Sequence, residues 1–115
     1  MMIMRTVNKN IPLEIQLDKS YLTFEDFTNI EKEIEGALVE DSQLILNFTQ
    51  VKEGLQGDFY SRIVAKVQNF YSTEAKALDF LRNNLLLRYE SKSSKAYEKL
   101  MQGYDLFFKV DFINQ

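Results

Sequence analysis

The run Leu44-Ile45-Leu46-Asn47-Phe48 constrains the fold of this chain more than any other stretch. It is a continuous apolar run of strand length, the pattern of a central strand covered on both faces, and it belongs at the heart of a sheet. Helical patterns stand on either side of it, so helices are expected to cover at least one face of the sheet. Upstream, Thr23 reads as a helix N-cap, with Asp26 three residues on to return a hydrogen bond and Leu22 and Phe27 placed to close a hydrophobic staple. Phe27, Ile30, Ile34 and Leu38 then recur at helical spacing, Glu31 and Glu35 share another face, and Gly36 offers a left-handed stop. Downstream, the loop Lys52 to Gly57 leads to Asp58, which reads as the N-cap of a helix with the apolar stripe Phe59, Ile63, Val64, Val67, Phe70 and Tyr71.

The rest of the chain extends this alternation. Met2 to Val7, a polar turn at Asn8 to Asn10, and Ile11 to Leu17 predict an N-terminal hairpin, with Pro12 tolerated at a strand entry. Ser72 would cap a further helical piece carrying Ala75, Leu78 and Leu81, and Asn83-Asn84 turns the chain into a strand from Leu85 to Glu90. A loop from Ser91 to Ser94 precedes a short helix, Lys95 to Gln102, with Tyr97, Leu100 and Met101 inward and Gly103 as its stop. In the last strand, Leu106 to Ile113, Leu106, Phe108, Val110 and Phe112 share a face opposite Lys109 and Asp111. The reading is an α/β fold, a mixed central sheet of about five strands in the order β-β-α-β-α-β-α-β with helices packed on it, parallel pairs being joined by right-handed crossovers. At 115 residues, without repeats or a Pro/Gly-rich linker, residues 1–115 make one domain.

Composition narrows the chemistry. The chain holds no Cys, which removes disulfides, thiolate nucleophiles and thiolate metal sites and fits a reducing compartment. Met1 to Met4 is too short for a signal-peptide core or a membrane span, so the expected location is cytoplasmic, without membrane insertion. Asn47-Phe48-Thr49 matches a glycosylation pattern, but at a buried strand end it reads as chance. With no His, His-based triads, proton shuttles and the common zinc sites are excluded, and no cofactor is called for. The net charge of −3 is uneven: residues 1–57 hold 5 basic and 10 acidic side chains, residues 58–115 hold 9 and 7. Arg82, Arg88, Lys92, Lys95 and Lys99 are the only candidates for a basic field, and they read as solvated charges rather than a nucleic-acid surface.

The strand order with its N-terminal hairpin and apolar central strand resembles the STAS domain family of anti-sigma-factor antagonists. The likeness spans nearly the whole chain. Its best pieces are Leu44 to Phe48 with Val51, similar to that family's central strand, and Ser94 to Val110, where Ala96, Leu100, Gly103, Tyr104 and Phe108 resemble its short helix, glycine stop and final strand. The family's switch motif of aspartate, serine, serine or threonine, and glycine is absent. Leu55, Gln56, Gly57 and Asp58 occupy those positions, and Ser61 lies one helical turn on. The segment from Tyr71 to Asn84 is longer than the family's usual connection. What the resemblance implies is a divergent protein-docking domain without the phosphorylation switch.

The carboxylates Glu25, Asp26, Glu31 and Glu35 are explained by the helix macrodipole and a solvated face before catalysis. The loop Lys52 to Asp58 has two glycines before a helix but lacks the Gly-Lys-Ser/Thr ending of a phosphate loop, and Asp58 would repel an anion. It reads as a flexible strand-to-helix turn. Loops at the carboxyl ends of strands are nonetheless where α/β folds place binding groups, so Glu53, Gln56, Asp58, Tyr60 and Ser61 form the expected partner-binding cluster. Three functions follow from this reading. The first is a non-catalytic regulatory or scaffolding module docking another protein through that loop. The second is an acidic inhibitor or immunity-type protein using Asp26, Glu31, Glu33 and Glu35, and the third a small enzyme using carboxylate or Ser/Lys chemistry. Self-association into a homo-oligomer stays open.

Overall fold

Strands β1 (Leu13–Gln16), β3 (Leu44–Asn47), β5 (Leu85–Tyr89) and β6 (Lys109–Phe112) lie side by side in that order, every pair parallel. The computed structural model describes residues 11–114, so the expected hairpin partner from Met2 to Val7 and its turn lie outside the described residues. Two shorter strands, β2 (Tyr21–Leu22) and β4 (Gly54–Leu55), form a separate parallel pair. Helices α1 (Phe24–Glu40), α2 (Phe59–Phe70), α3 (Glu74–Asn83) and α4 (Lys95–Leu100) supply the crossovers. The α/β class read from the sequence is the class observed.

The strand order proceeds in one direction across the sheet. With crossovers of the usual right hand, each helix then falls on the same face. Packing agrees: Leu13 and Ile15, Leu44 and Leu46, Leu85, Leu87 and Tyr89, and Val110 and Phe112 pack into or against one apolar core with helix residues such as Ile34, Ile63, Leu81 and Leu100. Because side chains alternate along a strand, the opposite face carries Glu14, Gln16, Ile45, Asn47, Leu86, Arg88, Lys109 and Asp111. All four residues of β3 are buried, as a central strand requires. Leu44 and Leu46 are covered by helices, whereas Asn47 is held within a polar row.

The starts of α1, α2 and α4 follow the sequence closely. Thr23 caps α1, and the Asp26 carboxylate accepts hydrogen bonds from the Thr23 N–H (2.7 Å) and hydroxyl (3.1 Å), with Leu22 and Phe27 both buried. Helix ends, and the start of α3, depart from it. Helix α1 runs past Gly36 because Ala37 and Leu38 complete its buried stripe, and Asp41 takes the left-handed conformation instead (φ 53°). Thr73 rather than Ser72 caps α3, its hydroxyl accepting from the Lys76 N–H at 3.2 Å. Ala75 is exposed and Ala77 takes the buried position. Helix α4 stops at Leu100 and leaves Met101 exposed, while the final strand begins only at Lys109 and Leu106 projects outward from the preceding turn. Phe70, expected in the stripe of α2, is about half exposed. No helix among the described residues is long and apolar enough to cross a membrane.

Candidate functional site

The loop after β3 is more ordered than its two glycines suggest. Gly54 and Leu55 form β4, paired with Tyr21 and Leu22, and the backbone continues the ladder through Glu53 N–H to Ser20 O (2.9 Å) and Gln56 N–H to Leu22 O (2.8 Å). Gly54 adopts φ 120°, a conformation that other residues rarely accept. The expected flexible turn is therefore a short strand that ties the start of α2 to the start of α1, at the carboxyl ends of β1 and β3.

This pairing gathers part of the expected cluster and disperses the rest. Glu53, Gln56 and Asp58 are exposed together. The Gln56 side-chain oxygen accepts the N–H of Phe24, one of the orphan donors at the start of α1. Asp58 sits at the N-cap of α2, yet its carboxylate binds Arg62 Nε at 2.7 Å instead of capping. Ser61 is half-buried and donates its hydroxyl to the Asp58 carbonyl at 2.9 Å.

Tyr60 is a correction. It is 0% exposed, its hydroxyl 2.7 Å from both the Ala96 carbonyl and the Tyr89 hydroxyl, so it cannot touch a partner. A phenol has one proton: Tyr60 donates to Ala96 and accepts from Tyr89. Burial pushes both phenols well above their ordinary value, and the neighbouring Tyr60 adds to the effect at Tyr89. Tyr60, Ile63, Val64 and Val67 stand at i, i+3, i+4 and i+7, the signal that places Tyr60 in the core.

Three residues outside the expected cluster complete the surface. Phe24 is 46% and Tyr21 43% exposed, and the Arg62 guanidinium lies over the Phe24 ring, 4.0 Å from its centroid. Phe24 occupies the first position of α1, a place that no apolar periodicity flags, and Tyr21 lies on the outward side of β2. The surface thus combines two aromatic rings, an arginine paired with Asp58, and the acid Glu53.

The acidic face of α1 is less available than its composition implies. Asp26 is buried and paired with Lys19 at 3.2 Å. Burial works to raise its pKa, but hydrogen bonds from the Thr23 N–H, Lys19 and the Thr23 hydroxyl outweigh it, leaving the carboxyl below its ordinary value. Glu31 and Glu35 share Lys66 of α2 at 3.2 and 3.0 Å, and the ammonium is held charged above its usual range, Glu35 contributing most. A carboxylate pair bridged by a lysine is not poised for proton transfer.

On the sheet face away from the helices, Asn47 donates to Glu14 (2.7 Å) and accepts from the Thr49 N–H and hydroxyl (2.9 and 2.7 Å). Arg88 bridges Glu14 (3.1 Å) and Asp111 (3.1 Å), its guanidinium pKa raised chiefly by Asp111. This row spans all four strands of the sheet and spends its charges internally. Among the described residues no group of three or more acidic side chains is placed to hold a metal ion. Comparison with protein-family models, with curated proteins and with solved structures finds no match to this chain.

Proposed function

We propose that this chain is a non-catalytic module that docks another protein through the loop and helix start after its central strand. The carrying observation is the half-exposed ring of Phe24 beneath the Arg62 guanidinium, which Asp58 pairs, on a backbone whose N–H is held by the Gln56 side chain, with Tyr21 and Glu53 exposed on the adjoining β2–β4 pair. Aromatic rings and arginines contribute disproportionately to interface energies, and a ring already held in place loses little freedom on binding. On this proposal the fold is STAS-like, the location cytoplasmic, and docking constitutive, since Leu55-Gln56-Gly57-Asp58 offers no hydroxyl to switch it. The acidic-inhibitor alternative is weakened by the ties of Asp26 to Lys19 and of Glu31 and Glu35 to Lys66.

Capture of a stoichiometric partner from the native cell by wild type and by Phe24→Ala tests the proposal. Loss of an exposed ring should weaken capture by more than about 1 kcal/mol while leaving melting nearly unchanged. If Phe24→Ala and Glu53→Arg capture the partner as wild type does, while reversal of Glu31 and Glu35 abolishes capture, the docking surface is the acidic face of α1 and the proposal fails.

A further inference from the structure

At the opposite end of the sheet, α1 and α2 finish beside α3 around an open, solvent-facing groove of about 510 Å³. Its walls include Phe70, Tyr71 and Phe80, which form a continuous chain of rings: Phe70 meets Tyr71 edge-on at 5.0 Å between centroids, and Tyr71 lies 5.9 Å from Phe80. Phe70 is 49% exposed, as a core ring would not be. Asp41 and Asp79 line the same space, and Lys76 is the one cation among the described residues that do.

The backbone adds to this negative field. Helices α1 and α2 both end at the groove, and neither carries a basic residue in its last turn. Each C-terminus presents the negative end of its dipole, which ordinarily attracts a lysine or arginine. Asp41, at the C-cap of α1, adds a carboxylate where helices favour cations. Tyr71 feels the same field: burial first, then the Asp41 charge, raises its phenol pKa.

We propose that this groove binds a small organic cation, an ammonium group carried on an apolar stem. The rings would face the stem and the cation through their negative π-faces, while Asp41, Asp79 and the two helix ends would neutralise the charge. The volume is of the order of small-molecule sites, roughly 300 to 1,000 Å³, and because the groove is open one side of a bound ligand would stay in water. The site is remote from the docking loop, so this inference stands or falls independently of the proposed function.

The test is an NMR titration of the whole chain with phenethylammonium, alongside 2-phenylethanol and 3-phenylpropionate, which carry the same ring with a neutral or an anionic head. Saturable shifts should be confined to residues 38–41, 70–71 and 76–84, with the amine binding about tenfold or more tighter than either analogue. Asp41→Asn with Asp79→Asn should weaken the amine by about tenfold or more, and Lys76→Gln should strengthen it by about two- to fivefold through loss of like-charge repulsion. Asparagine suits the left-handed position at Asp41, and Lys76 is exposed, so these variants should keep the fold. Equal binding of alcohol or carboxylate, shifts located elsewhere, or no saturable shift for the amine overturns the proposal.

Discussion

Tyr60 and Tyr89 bury two phenols at the centre of an aromatic cluster, and both are satisfied only by each other and by the Ala96 carbonyl. Tyr60→Phe removes the donor to Ala96 and the acceptor for Tyr89 while leaving the ring's packing intact. It should therefore cost about 1 to 3 kcal/mol in urea denaturation, where a surface tyrosine would cost almost nothing. The pH dependence has a definite sign. Because the folded state holds both phenols neutral above their ordinary value of 10.0, their contribution is fully present below pH 10 and is lost as pH rises toward the folded values. Wild type should lose stability steeply above pH 10, and Tyr60→Phe less steeply, as followed by chemical denaturation across that range. Tyr60 was misplaced from sequence because its chemistry, an aromatic beside a loop, suits an interface as well as a core. The helical spacing that ties it to Ile63, Val64 and Val67 was the better guide.

Among the elements, helix beginnings were legible to within one residue, the cap of α3 lying at Thr73 and not Ser72, and helix ends were not. A start such as Thr23 to Phe27 writes its hydrogen bonds into side chains, whereas an end is set by how far the buried stripe continues, and α1 reads through Gly36 for that reason. Strand β4 was illegible for a related reason: two residues have no periodicity, and only the pairing with Tyr21 and Leu22 defines them. The same dependence on distant partners hid Phe24 and Arg62 as neighbours. The capping box of α1 is directly testable. Asp26→Ala should cost about 1 to 2 kcal/mol near neutral pH, since it removes the acceptor for Thr23 and the partner of Lys19. Because the Asp26 carboxyl lies below its ordinary value of 3.8, its contribution is present above that pH and lost as pH falls through the folded value. The stability gap between wild type and Asp26→Ala, measured by urea denaturation, should narrow below pH 3.8.

For the whole molecule, the central apolar run and the alternation of helical and strand patterns made the α/β class readable. That every described strand pairs parallel, and that the helices gather on one face, depend on strand order, which local patterns do not encode. Leu46 sits at the middle of this arrangement, 0% exposed between β1 and β5. Leu46→Asp places an unpaired charge in the core at a cost of several kcal/mol against a total of roughly 5 to 15, and cooperative thermal unfolding should disappear. A soluble variant melting within a few degrees of wild type would contradict the assignment of β3. The claim of function is tested most directly by hydrogen exchange of the chain, free and bound to its co-purified partner. Docking at the loop predicts new protection across residues 20–25 and 53–62, with residues 31–35 unchanged. Protection of 31–35 with the loop unaffected would contradict it.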